Sequence, residues 1–203
     1  RVDVRAGAML DLSFDDPTTA MQSYGFPLSI AGSGPNGDGA IVNYSTSASS
    51  GSPETGIAGY LSLGSLSLAG DAKIRSDNRV FYSGVISDGG SGFGLTLSGA
   101  AATSQHVFNS AAHTFSGGLN VQSAQVYLRN GNLGTGSIVL GDGAMVNLIG
   151  RSISSSVSVV AGASATLANT SSTESVLSGS LSLAAGSVLS IGGGDTSIGN
   201  NLP

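Results

Sequence analysis

Short runs of alternating apolar and small polar residues recur along this chain, and a turn rich in Gly, Asp or Ala separates the two runs of each pair. The unit is clearest in Ser137–Leu148, Ser158–Asn169 and Ser180–Gly192, and earlier versions occupy Leu61–Ile74 and Phe93–Ala101. Alternation with a period of two predicts strands with one buried face. The turn positions fall near Gly70, Gly99, Ser123, Gly143, Gly162 and Gly186.

This spacing of roughly 20–25 residues is that of one coil of a β-solenoid. One coil cannot bury its apolar face alone, so neighbouring coils must stack above and below it. The pattern therefore predicts an all-β fold, a right-handed parallel β-helix of roughly nine coils filled by Leu, Val and Ile ladders. A β-sandwich is the alternative, because alternating strands with Gly turns also suit that fold. Aromatic residues make up only 5% of the chain, which favours the β-helix.

The chain divides into an irregular region, a region of regular repeats and a short tail. Residues 1–60 carry four of the five prolines and are interpreted as an irregular first part of the solenoid, or as a small separate β subdomain. Residues 61–199 form the regular repeat, and 200–203 are a polar tail. The best helical candidate is Pro17–Tyr24, which is short.

Composition narrows the function classes. Charged residues are only 9% of the chain, cysteine is absent and the formal net charge is −5. Without cysteine there are no disulfides, catalytic thiols or thiolate metal sites. Seven Lys and Arg residues are too few for a nucleic-acid surface, and no apolar run is long enough for a transmembrane helix. The chain is interpreted as a segment of a longer secreted β-protein.

Part of the chain resembles a known family. Val85–Leu97, Thr114–Leu128 and Asn130–Leu148 resemble the autotransporter-associated β-strand repeat of bacterial surface proteins, and the match covers roughly residues 80–150. The resemblance implies a right-handed parallel β-helix, export, and display at a cell surface as a passenger or stalk. It supplies no catalytic residues.

A cluster of charge is the most distinctive polar feature. Five charged residues occupy alternate positions between 71 and 79, so in one extended strand they would project from the same face. The functional interpretation is a face that grips a glycan or another partner, with Phe81 and Tyr82 beside it to stack on sugar rings; the alternative is a solvated, self-neutralised outer face. The candidate face comprises Asp71, Lys73, Arg75, Asp77, Arg79 and Tyr82.

Catalytic and metal chemistry find little support in the residue pattern. The acidic residues are scattered rather than grouped as a β-helical polysaccharide lyase requires. Gly89–Gly94 lacks the Asp of a calcium-binding nonapeptide repeat. His106 and His113 have no evident third ligand, so they are expected at surface or turn positions. We expect no catalytic residues, no metal and no cofactor.

The sequence thus favours a non-catalytic structural segment of a secreted or surface-displayed bacterial protein, acting as a stalk, an adhesin-like passenger or a self-assembling fibre unit. Its expected partners are adjoining β-helical segments or copies of itself end to end, with host or environmental glycans as further candidates. The alternative functions are a carbohydrate-binding module and, ranked below it, a polysaccharide-degrading β-helix enzyme.

Overall fold

The structure is a computed structural model that describes residues 1–13, 22–45, 61–100, 104–110 and 112–192. These residues form 19 short strands and no helix. The strands belong to two sheets, one of 11 strands and one of eight. We call the larger one sheet A and the smaller one sheet B.

Sheet A has a main path of eight strands, with three more strands beside it. In spatial order the main path is β1 (Val2–Val4), β4 (Leu28–Gly32), β7 (Leu66–Ser76), β10 (Leu95–Ser98), β12 (Leu119–Gln122), β14 (Ile138–Leu140), β16 (Val157–Val159) and β18 (Leu181–Leu183). The additional strands are β2 (Leu10–Asp11), β5 (Ile41–Asn43) and β9 (Ile86–Ser87).

Sheet B contains the strands that alternate with those of sheet A along the chain. In spatial order they are β3 (Gln22–Tyr24), β6 (Leu61–Leu63), β8 (Arg79–Tyr82), β11 (Gln105–Phe108), β13 (Gln125–Leu128), β15 (Met145–Asn147), β17 (Ser164–Ala168) and β19 (Val188–Gly192). From β10 onward, each strand in one sheet is followed by a strand in the other.

All strand pairs of the described residues are parallel. The predicted all-β class is therefore confirmed. The alternative prediction of a β-sandwich does not agree with this structure, because the sheets of immunoglobulin-like β-sandwiches are antiparallel. Pro17–Tyr24, the best helical candidate of a sequence that predicts no definite helix, is not helical at its last three residues, which form β3. Residues 14–21 lie outside the described residues, as does the tail at 200–203. The boundary predicted at residue 60 stays a prediction.

The strand register aligns apolar residues with apolar residues from strand to strand in both sheets. In sheet A, Leu95 pairs with Leu119, and the same position continues through Ile138, Val157 and Leu181. In sheet B, Val126 continues through Val146, Leu167 and Ile191. Because alternate residues of a strand point to opposite faces, this register stacks one apolar side chain on the next inside the fold, and the intervening positions, such as Thr96 and Ser158 in sheet A, face outward.

A third row of apolar residues joins the same buried cluster as the two sheets. These residues lie in the segments that lead from sheet B back to sheet A, and each is 9% exposed or less. Backbone hydrogen bonds connect neighbouring segments: the Thr135 N–H donates to the Phe115 carbonyl, and Ile153 forms a parallel bridge with Leu177. The row comprises Phe115, Leu133, Ile153 and Leu177.

Residues in the left-handed conformation mark one corner of the fold. Where the chain passes from sheet A to sheet B, Ser123, Gly143, Gly162 and Gly186 have φ values of 48°, 71°, 72° and 72°. These four turns were predicted from the sequence and are confirmed. Gly70 is different, because it lies inside β7.

Candidate functional site

The predicted charged face divides between the two sheets. Asp71, Lys73 and Arg75 alternate along β7 with the buried Ala72 and Ile74, so these three side chains do share the outer face of sheet A. β7 ends at Ser76, and the chain then turns into sheet B. The prediction of one continuous strand from 71 to 79 is therefore wrong.

Arg75 is held by carboxylates on both sides. Its guanidinium donates hydrogen bonds to Asp38 at 2.9 Å and to both oxygens of Asp77 at 3.1 Å, and it lies 5.0 Å from the centroid of the Tyr44 ring. The hydrogen bond to Asp77, with help from Asp38, raises the pKa of Arg75. Nearby, Lys73 Nζ donates to the Gly37 carbonyl at 2.9 Å. Much of this part of the face is self-neutralised.

Arg79 and Tyr82 do not belong to the outer face of sheet A. Arg79 lies in β8 with 2% of its surface exposed, and its Nε donates to Gln105 Oε1 at 2.5 Å. Tyr82 is completely buried in the core, where burial raises its pKa well above the ordinary value. Phe81 is 1% exposed beside Val107. None of the three aromatic or cationic side chains can stack on a sugar or grip one from outside, so the assignment of Arg79 and Tyr82 to a glycan-binding face is corrected.

Both histidines are in the interior, contrary to the predicted surface or turn positions. His106 is completely buried in β11; its Nε2 donates to the Ser98 carbonyl at 3.2 Å, which leaves Nδ1 to accept the Tyr82 hydroxyl at 2.8 Å. His113 is also completely buried, and its Nδ1 accepts the Ile86 N–H at 3.1 Å. Burial lowers the pKa of each imidazole to about 4, so both are neutral at pH 7.

The histidines belong to an aromatic layer that the sequence did not predict. Phe108 packs 4.9 Å from the ring of Tyr82 and 5.0 Å from the ring of His113. Tyr82 and Phe108 are register partners on adjacent strands, and Phe115 is completely buried in the same core. Although aromatic residues are few, they are concentrated here. The available signal was the period of two, which puts His106 on the same face of β11 as the core residue Phe108.

A buried carboxylate organises the glycine-rich loop that follows β9. Asp88, 3% exposed, accepts the N–H groups of Gly90, Gly92 and Phe93 at 2.9, 2.9 and 3.1 Å. It also accepts both the N–H and the hydroxyl of Ser116, at 3.0 and 2.7 Å. The bond from the Ser116 hydroxyl, reinforced by backbone N–H donors, lowers the pKa of Asp88 far below its usual range. Its sequence signal is an Asp followed directly by Gly-Gly-Ser-Gly.

A shallow groove of about 240 Å³ crosses the entrances of three successive strands on sheet A. Gly94, Gly118 and Ser137 stand immediately before β10, β12 and β14. Gly94 and Gly118 bring bare backbone to the groove, and Asp71 lies at one end. Thr96 and Asn120, which are register partners, line its side. This groove is the candidate functional site.

Within the described residues, no three His, Cys, Asp or Glu side chains are grouped so that they could hold a metal ion. The same part of the chain contains no helix long and apolar enough to span a membrane. No protein-family model matches the chain, and searches of curated proteins and of solved structures find no match either. The resemblance of residues 80–150 to the autotransporter-associated repeat is therefore a hypothesis without support from these comparisons.

Proposed function

We propose that sheets A and B and the third apolar row are three walls of one right-handed parallel β-helix. The supporting observation is that Phe115, Leu133, Ile153 and Leu177 share a single core with both sheets and follow sheet B in each repeat. Each coil would then contain one strand from each sheet and one third-wall segment. Eight strands on the main path of each sheet would then give eight coils, close to the roughly nine predicted from the sequence, and right-handed crossovers are the rule for parallel strands.

On this architecture the protein is a non-catalytic structural segment: a rod that spaces, displays or assembles other parts of a secreted bacterial surface protein. The interior supports this proposal because it is filled by ladders of side chains that run through successive strands. A packed interior leaves the outer faces and the two ends as the places where partners bind. An extracellular or outer-surface location is part of the proposal.

The C-terminal end of the rod offers a surface suited to stacking. Among the described residues, β18 pairs only with β16, and β19 pairs only with β17. Leu183 and Ile191 continue the inner ladders of their sheets but are 54% and 46% exposed, and Val188 is 54% exposed. Their counterparts one strand earlier, Val159 and Leu167, are 1% and 2% exposed.

Unpaired backbone groups beside exposed ladder residues are a template for another parallel strand. At the opposite end, β1 and β3 likewise have one partner each in the described part of the chain. A copy of the chain, or an adjoining β-helical segment, could therefore extend both sheets and cover Leu183 and Ile191. Because such a contact is head-to-tail, repetition would give a fibre rather than a closed dimer.

Light scattering after gel filtration, combined with negative-stain imaging, tests this proposal. We expect thin rods whose length grows in multiples with protein concentration. The double variant Leu183→Lys/Val188→Lys places charge on the end strands and should leave single rods. Val160→Lys is the matched control, because Val160 is 41% exposed but follows the internal strand β16; its assembly should equal that of the unsubstituted chain.

Rounded particles in place of rods would contradict the β-helix. Single rods at every concentration would contradict self-assembly and leave an adjoining segment as the partner of the end strands. Multimers that persist in Leu183→Lys/Val188→Lys would show that association uses another surface.

A further inference from the structure

The groove on sheet A lies where two glycines and a serine directly precede three successive strands, so that little side chain covers the main chain. Its floor is main chain, and the carbonyls of Gly94, Gly118 and Ser137 are already used, since they accept the N–H groups of Ala72, Leu95 and Leu119. The floor is therefore a flat, internally satisfied surface. It runs across the strands, along the direction in which they stack.

The side chains beside this floor carry hydrogen-bonding groups directed to the outside. Thr96 and Asn120 are half-buried on the outer face of β10 and β12, and no hydrogen bond to either side chain occurs within the described residues. Asp71, which lines the groove, uses Oδ1 to accept the Gly94 N–H at 2.8 Å, and no described residue donates a hydrogen bond to its Oδ2. A hydroxyl and an amide are thus available one strand spacing apart, about 4.8 Å, and Val139 continues their row on β14. The carboxylate of Asp71 lies on β7, two residues before Lys73, the register partner of Thr96.

We propose that this groove binds an extended neutral polysaccharide, laid along the stacking direction of the strands. The strand spacing is close to the advance of one pyranose unit along an extended chain, so successive sugars can meet successive strands. Asp71 would accept hydrogen bonds from sugar hydroxyls, and Asn120 and Thr96 would both accept and donate, while the glycine floor admits the sugar ring.

The charges and the backbone disfavour other occupants. Asp71 is the charged residue lining the groove, and the chain carries a net charge of −5, which opposes a polyanion. A peptide that binds by strand addition needs unpaired backbone groups. Here β10 and β12 are each paired on both sides. This proposal is independent of end-to-end stacking.

Gly94→Ala is the sharpest test, because residue 94 has no left-handed φ and a methyl group there would meet its nearest neighbours at 3.4–3.6 Å, which is ordinary contact. The substitution should obstruct part of the groove floor without disturbing the fold. Isothermal titration calorimetry with cellohexaose should show saturable binding to the unsubstituted chain. We expect at least a ten-fold loss of affinity in Gly94→Ala and in Asn120→Ala. Ser158→Ala, on the same outer face beyond the groove, should bind unchanged.

Circular dichroism and the melting temperature establish that each variant is folded, and either groove variant decides the question if the other does not fold. The proposal is overturned if cellohexaose does not bind, or if it binds equally to Gly94→Ala and Asn120→Ala. It is also overturned if binding is confined to a hexagalacturonate, a chitosan hexamer or a lysine-rich peptide.

Discussion

The carboxylate of Asp88 accepts two hydrogen bonds from Ser116, one from the backbone N–H and one from the hydroxyl, although 28 residues separate them in sequence. Asp88 belongs to the loop after β9, and Ser116 to the segment before β12. The same carboxylate accepts three N–H groups of its own loop. One side chain therefore fixes a glycine-rich loop and attaches it to the next repeat.

Asp88→Asn should destabilise the protein, because an amide presents an NH₂ group and has one acceptor oxygen where five donors converge. Asp142→Asn is the matched control: Asp142 is exposed and its Oδ1 accepts the Ser164 N–H at 2.9 Å. Urea unfolding followed by circular dichroism should show a larger loss of stability for Asp88→Asn. Equal effects of the two substitutions would mean that the loop does not depend on Asp88.

The pH dependence of this contribution has a defined sign. The pKa of Asp88 is lower in the folded chain than its ordinary value of 3.8. Its contribution to stability is therefore complete above that value and is lost as the pH falls through the lower folded-state pKa. Above pH 5 the difference in stability between Asp88→Asn and the unsubstituted chain should be constant.

The repeats could be predicted from sequence because their signal is local. Period-two alternation identified the strands around Leu140, and the small turn residues identified the corner at Gly143. The prediction that Asp71 to Arg79 share one face was wrong because the alternation continues across a bend. Alternation alone does not show where the chain leaves one sheet for the other. The burial of the histidines was not predicted because the Tyr82 hydroxyl that donates to His106, and the Ile86 N–H that donates to His113, come from the preceding repeat. The groove was not predicted because the strand register brings its glycines together, and the spacing of glycines along the sequence does not determine that register.

Because His106 and His113 are buried, we expect the folded protein to lose stability in mild acid. Each has a pKa of about 4 in the folded chain against an ordinary value of 6.5, so the unfolded chain takes up protons first. Stability should be complete above pH 6.5 and fall as the pH drops toward 4, by up to about 1.4 kcal/mol per pH unit for each histidine. The free energy of unfolding, measured in urea between pH 5 and 8, gives this slope.

Replacement of one histidine separates the two contributions. His106→Leu should reduce stability at pH 8, because the Tyr82 hydroxyl and the Ser98 carbonyl lose a buried partner, at a cost of about 1–3 kcal/mol for each such group. It should also make the pH dependence between 5 and 6.5 about half as steep. An unchanged slope in this variant would contradict a buried, neutral His106.

The corner glycines predict an effect that comes from backbone conformation rather than from packing. Gly162 has φ near +72°, and a methyl group there would meet nothing within 4 Å. Gly162→Ala should therefore cost roughly 1 kcal/mol, since the left-handed conformation penalises an L side chain. Gly25 has equal space and no left-handed φ. Gly25→Ala should leave the unfolding free energy unchanged or slightly raised, and an equal loss in both variants would contradict the conformational explanation.

Leucines inside the ladder and at its end should differ in what they contribute. Leu140 is completely buried between Val121 and Val159 in the sheet A register, whereas Leu183 has the same inward position on the end strand and is 54% exposed. Leu140→Ala should cost about 2–5 kcal/mol, because it leaves a cavity that rigid neighbouring strands cannot fill. In dilute solution, where single rods are expected, Leu183→Ala should cost less than about 1 kcal/mol, in keeping with the usual small effect of surface substitutions. The cost of Leu183→Ala should rise at concentrations where rods join, since the residue is then covered. If it stays small while rods lengthen, the end ladders are not the surface through which the rods associate.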